Sequence, residues 1–212
     1  MASLYTYNLV SLASIYFVTC ASPGPDFVNV TSLSLNARRN GVFAAAGVAL
    51  GCFIWSTTAA FGLGFLTSKL PNLVHSVKLF GAIYLVYLGA SLILASFMSR
   101  ERTTASAPTR PGSVLNGWVS LRRGLITDLT NPTLLVFFGS LFAATLPSSS
   151  PLWVRCASIF TITFIAGSWH LALALFFSSR STRSVYERLR RPVDVILGAL
   201  LVLLAIRLVM LA

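Results

Sequence analysis

Apolar positions run through this chain in long blocks, and the polar ones collect between them. Six blocks can be drawn, over residues 4–36, 41–67, 71–98, 124–146, 152–177 and 193–211. Each is long enough, at roughly 20 residues or more, for a helix to cross a bilayer. Helix is the form such continuous runs permit, because a backbone in lipid must satisfy its own hydrogen bonds. The alternating ten-residue segments of a membrane barrel are absent from the sequence. The pattern predicts an all-α polytopic membrane protein of six transmembrane helices, folded as one membrane domain over residues 1–212.

Polar interruptions divide this plan. "SRERTTASAPTRPGSVLNG", residues 99–117, reads as a flexible connector, so the expected parts are a first half 1–98, a cytoplasmic linker 99–123 and a second half 124–212. A second polar stretch at 178–192 carries five arginines and a short surface helix around "YERLRR". Twelve of the 16 basic residues fall in the loops after the first, third and fifth blocks. Only Lys69, Lys78 and Arg155 fall in the other two, and Arg207 lies near the end. By the positive-inside rule the odd loops are cytoplasmic, with both termini outside.

Three helices per half is an odd number, so the two halves must be inverted. That plan often places a substrate site where discontinuous helices of the two repeats meet. The first block holds such a discontinuity, "ASPGPDF" at residues 21–27. Pro25 cannot donate a backbone hydrogen bond, and Gly24 is expected to take dihedrals closed to other residues, so the helix should stop near Ser22 and restart at Pro25. The second half answers with "TDLTNP", residues 127–132, where Asn131 suits an N-cap and Pro132 a first helical position. Pro25 lies roughly 20 Å along the helix from Arg38, and Pro132 roughly 14 Å from Arg123. Both breaks then sit inside a hydrocarbon core about 30 Å thick. Two half-helix N-termini near mid-membrane offer unpaired N–H groups to a carboxylate.

Only five acids occur in the chain. Glu101 and Glu187 lie in loops and Asp194 begins the last block, which leaves Asp26 and Asp128 at the two breaks. Ionisable residues within a membrane usually face a cavity and serve transport or proton relay. Desolvation favours the neutral acid and a helix N-terminus favours its charge, so an aspartate held between them suits alternate binding of a cation and a proton. The plainer alternatives are a first-turn carboxylate complementing the dipole, for Asp26, and a simple proline kink at Asn131-Pro132.

Composition narrows the choice. The chain is 56% hydrophobic and 10% charged, with mean hydropathy +0.80. A net charge of +11 raises nucleic acid as a partner, but the arginines sit beside apolar spans, where they set topology and meet lipid. Cys20, Cys52 and Cys156 are isolated, without metal or redox spacing, and read as buried small apolar residues. No P-loop occurs, and no cofactor or enzymatic role is expected. His170 in the fifth block is either a proton relay or a helix-contact residue. Trp55, Tyr84 and Tyr87 are path-lining or packing residues. Gly47 and Gly51 form GxxxG, and Gly81 and Gly89 share a face; these are close-packing positions within a protomer or across a homodimer.

"ASPGPDF", "GVFAAAGVALG" opening the second block, "GAIYLVYLG" in the third and "RRGLITDLTNPTLLVFFGSLF" in the fourth resemble the LysE/RhtB family of amino-acid exporters over essentially the whole chain. Within it, the aspartate after SPGP and the "FGS" look closest to threonine and homoserine exporters. The resemblance implies an inner-membrane exporter of small amino acids or derivatives, driven by the proton-motive force. It implicates Ser22, Pro23, Gly24, Pro25, Asp26, Asn131 and Pro132 in the substrate path. Asp26, Asp128 and His170 are the candidates for proton coupling. Members often carry a lysine directly after the NP, where this chain has Thr133, and a neutral polar residue where it has Asp128. A membrane thiol oxidoreductase, suggested by Cys20, lacks a partner cysteine at residues 124–140, and an ion permease lacks acid or histidine clusters in the spans.

Overall fold

The computed structural model describes residues 2–21, 24–69, 115–147 and 149–177, with single positions between 79 and 94 and between 192 and 210. Ser22, Pro23, Gly81, Tyr84, Asp194 and Arg207, the connector over 99–114 and the loop over 178–191 lie outside the described residues.

Among the described residues six helices are delimited: α1 Ala2–Ala21, α2 Pro25–Asn36, α3 Arg38–Lys69, α4 Gly117–Leu129, α5 Pro132–Thr145 and α6 Leu152–Phe176. No strand occurs among the described residues. The first block is thus two helices, α1 and α2, and the fourth is α4 and α5. By length and composition α6 and the Arg38–Gly62 part of α3 can each cross a bilayer. The α4–α5 pair, bent by 63°, makes a third span if taken as one broken helix.

The fourth block starts earlier than its apolar pattern implied. Helix α4 begins at Gly117 rather than 124, because the Asn116 side chain caps it by accepting from Trp118 N (3.2 Å). Residues 117–123 therefore belong to a helix and not to a linker. The apolar pattern missed them because Arg122 and Arg123 point outward while Gly117, Ser120 and Gly124 are buried against α3.

Contacts fix the relative directions. Asn40 Oδ1 accepts from Leu115 N (3.2 Å), Gly47 faces Leu121 and Leu125, and Gly51 faces Asp128, so α3 and α4 run parallel. Phe17 meets Trp169 (5.7 Å) and Tyr5 meets Trp153 (5.9 Å), so α1 and α6 are also parallel. Gly167 lies against Ala49, and Arg155 reaches the Ala60 carbonyl (2.9 Å), so α3 and α6 are antiparallel. In the third and sixth blocks Gly89 and Gly198 allow a close crossing; a Cβ on Gly198 would lie 2.6 Å from Gly89 O.

These alternating directions bury one apolar core. Phe137, Phe138 and Phe142 of α5 fill its centre with Leu12 of α1, Val48 of α3 and Ile162 of α6. Large apolar side chains on the opposite faces, such as Phe160, Phe164 and Leu135, point outward, as a bilayer solvent requires.

Candidate functional site

The site forms where the two broken blocks lie side by side. In the first, α1 ends at Ala21 and α2 restarts with Pro25 at its first turn and Gly24 as N-cap. Gly24, having no side chain, offers no side-chain cap to this end. In the second, Asn131 caps α5, its Oδ1 accepting from Thr133 N (3.1 Å), with Pro132 following. Both helices restart at the residues that their proline and cap chemistry indicated.

Gly24 departs from expectation. Its φ of −96° and ψ of −177° are extended backbone that any residue adopts, so left-handed geometry is not the reason for glycine here. A Cβ at Gly24 would find no atom within 4 Å, so the backbone there borders open space.

Asn29 Nδ2 donates to Thr127 Oγ1 (3.0 Å), joining α2 to α4 one turn from each break. Asp26 stands three residues before Asn29 and Asp128 directly after Thr127, so this bond brings both acids to the same seam between α2 and α4. Asp128 is completely buried. Its Oδ2 accepts from the Cys52 thiol (3.2 Å), and Cys52 Sγ accepts in turn from the Tyr16 hydroxyl (3.1 Å). Trp55 Nε1 donates to the Asp128 carbonyl (3.3 Å), which also accepts from Asn131 N (3.2 Å) at the end of α4. Asp26 Oδ1 and Asp128 Oδ1 are buried without a hydrogen-bond partner among the described residues. Neither acid has an ion pair there. Such groups are rare in folded chains and mark places where a ligand or proton completes the bonding.

Room for Asp128 comes from α3. A Cβ on Gly51 would stand 2.6 Å from Asp128 Cγ and 2.8 Å from its Cβ. The GxxxG pair is therefore more than a packing motif. Gly47 brings the α4 backbone close, and Gly51 admits the carboxyl. Beyond the breaks Tyr16 packs on Phe137 (6.4 Å) and Phe138 (5.7 Å), so an aromatic cluster closes α1 against α5.

Other expected site residues fall elsewhere. His170 is buried, with Nδ1 against the Ala166 carbonyl of its own helix (2.9 Å), an arrangement that supports the helix-contact alternative. Tyr87 lies on the surface, 67% exposed. Of the cysteines expected to be buried, Cys20 and Cys52 are, but Cys156 is exposed, because it sits one turn into α6 on an outward face. Residues not anticipated at the site are Tyr16, Cys52, Asn29 and Thr127. Asn29 stands one turn after Asp26 and Thr127 precedes Asp128, so polarity beside each break was a usable signal. Nothing in the order of residues connects Cys52 to Asp128.

The LysE type translocator model matches residues 17–211. The chain is 32% identical over 197 residues to the uncharacterized membrane protein YahN of Escherichia coli K12, covering 92% of this chain and 86% of that protein. It is 26% identical over 192 residues to the threonine efflux protein of the same organism, covering 90% and 92%. It is 30% identical over 140 residues to the leucine efflux protein of Salmonella choleraesuis, covering 66% and 63%. No solved structure matches.

Proposed function

Because the chain belongs to the LysE type translocator family and is a membrane transporter rather than an enzyme, we propose that it exports small amino acids or close derivatives from the cytoplasm, driven by the proton-motive force. Relatives named for threonine and leucine efflux support this reading. Threonine, homoserine and homoserine lactone are the first substrates to test.

The observation that carries the proposal is the meeting of Asp26 and Asp128 at two helix breaks, each acid with a buried oxygen left without a partner. A zwitterion suits this place. Its carboxylate faces the half-helix N-termini of α2 and α5, around Ser22, Pro23, Gly24, Pro25, Asn131 and Pro132. Its ammonium faces Asp26, with Asp128 close by. When the ammonium leaves, a proton takes its place on the acid, and this exchange couples export to proton entry. His170 is the remaining proton-coupling candidate, its backbone bond favouring a packing role.

The alternating helix directions support two inverted halves, and the arginine-rich odd loops support six spans with both termini outside the inner membrane. In that orientation the Asn29–Thr127 bond lies on the cytoplasmic side of the site and the Tyr16–Phe137–Phe138 cluster on the outer side. Alternating access requires each to open in turn.

The test is efflux from proteoliposomes preloaded with a panel of amino acids, with and without a pH gradient. Gradient-stimulated efflux of a small neutral amino acid is expected, and no efflux of any panel member overturns the reading. Asp26→Asn should abolish the stimulation; unchanged export across a pH range removes Asp26 from the coupling role.

A further inference from the structure

The hydrogen bonds of Asp128 lead away from the break, through α3 to α1. Cys52, buried in α3, donates to Asp128 Oδ2 and accepts from Tyr16, itself buried in α1. Cys20, also buried, stands four residues further along α1, on the same helix face as Tyr16. Cys20 stands at the end of that helix, next to the break that holds Asp26. Three side chains from three helices thus form a continuous buried chain of hydrogen bonds, Asp128, Cys52 and Tyr16, with Cys20 beyond Tyr16 on the same face of α1. Each member between the acid and the break is a thiol or a phenol.

That composition has a consequence. Thiols and hydroxyls are both donors and acceptors, whereas amides and carbonyls have fixed roles. As a carboxylate, Asp128 takes a hydrogen from Cys52, which takes one from Tyr16. As an acid, Asp128 gives its own hydrogen to Cys52 Sγ, Cys52 turns its S–H to the Tyr16 oxygen, and Tyr16 turns its O–H away from Cys52, toward the side of Cys20. No heavy atom moves, and Asp128 Oδ2, Cys52 Sγ and the Tyr16 oxygen each keep a hydrogen-bond partner in both states. An unsatisfied buried partner is the larger penalty in such networks.

We propose, on the exporter reading above, that Tyr16 and Cys52 are positioning residues for Asp128, and that they hold its carboxyl in one place in both protonation states by reversing the direction of their hydrogen bonds. Among the described residues, the titratable and polar groups around Asp128 are Cys52 and Trp55 from α3, Tyr16 behind Cys52 and Cys20 from α1, Asp26 from α2, and Thr127 on its own helix. Of these, Cys52 alone bonds the carboxyl. Gly51 prevents the carboxyl from shifting toward α3, since its oxygen already lies against the bare glycine.

Two measurements test this. The first needs no transport: the infrared S–H stretching band of the full chain in lipid nanodiscs, with the Cys52 component assigned through Cys52→Ser. It should shift with pH in the wild type and stay fixed in Asp128→Asn. A Cys52 band indifferent to both pH and Asp128→Asn overturns the proposal. The second is the pH profile of efflux. Cys52→Ala, which strands Asp128 Oδ2, should displace the profile and lower the rate at its optimum by roughly tenfold, the scale of one hydrogen bond to a charged group. Tyr16→Phe should displace it in part, and Cys52→Ser, which can donate and accept, should return it toward wild type. Wild-type profiles in both Cys52→Ala and Tyr16→Phe, in protein whose melting temperature is unchanged, overturn it too. If the wild type exports nothing, the exporter reading fails while the infrared test still decides the chain of hydrogen bonds.

Discussion

Replacing Gly51 by alanine adds one methyl group to α3 at the point where it supports Asp128. That methyl would stand 2.6 Å from Asp128 Cγ and 2.8 Å from its Cβ, closer than real Cβ atoms approach one another. The neighbour is not the free end of a flexible side chain. It is a short carboxyl bonded to Cys52, on a backbone whose carbonyl is bonded to Trp55. Overpacking of this kind costs about 1–3 kcal/mol. For a chain of this length each kcal/mol moves the melting temperature by about 2–4 °C, so Gly51→Ala should melt about 2–12 °C below wild type. Gly62→Ala in the same helix is the control. Its methyl would meet nothing within 4 Å, so stability should hold or rise by about 0.5–1 kcal/mol from the gain in helix propensity. A double-mutant cycle with Asp128→Ala makes the test specific. That change removes the carboxyl, the nearer part of the obstruction, so Gly51→Ala/Asp128→Ala should be more stable than the two single losses added together. Thermal unfolding in detergent measures all four proteins. A Gly51→Ala variant that melts within about 1 °C of wild type, or a cycle that sums without coupling, refutes the claim that Gly51 makes room for the acid.

Three further outcomes follow from the geometry. Asn131→Ala removes the acceptor for Thr133 N and should lower stability by about 1 kcal/mol and slow efflux, while Asn131→Ser should recover most of both. Arg155 donates to the Ser150 and Ala60 carbonyls from one planar group, at 3.2 and 2.9 Å, so Arg155→Lys should lower the melting temperature measurably although the charge is kept. Cys156 is exposed and placed outside by the proposed orientation, so an impermeant maleimide added to intact cells should label it and spare Cys20 and Cys52; labelling only after the inner face is opened contradicts that orientation.

Much of the fold was legible because lipid leaves few choices. Blocks of apolar residues had to be helices, and Pro25 and Asn131-Pro132 had to interrupt them at the residues where α2 and α5 begin. Relative direction was legible too. The arginines at 38–39 and 122–123, assigned to one side of the membrane by charge, lie on α3 and α4, which run parallel. What escaped was every property that depends on the partner of a side chain. Residues 117–123 look like a linker because two arginines and a serine interrupt the run, yet their buried face is small and fits α3. Cys52 is 76 residues from Asp128, and a cysteine with no neighbour of its kind carries no motif. Cys156 looks like Cys20 and Cys52 in sequence and differs only in the helix face it occupies. Gly24 was assigned to backbone freedom, while its geometry instead points to space beside the break.

The parallel seam between α3 and α4 also bears on how the protein is made. Helix α4, "GWVSLRRGLITDL", has only 13 residues, with two arginines and a fully buried aspartate. Such a segment has little tendency to enter lipid unaided. Its seat is a strip of α3 in which Ala44, Gly47 and Gly51 lie against Gly124, Leu125 and Asp128, and the acid finds its hydrogen-bond donor on the next residue, Cys52. Because α3 leaves the ribosome well before α4, the seat precedes its occupant, and the order of synthesis becomes part of what allows an aspartate to be buried among these helices.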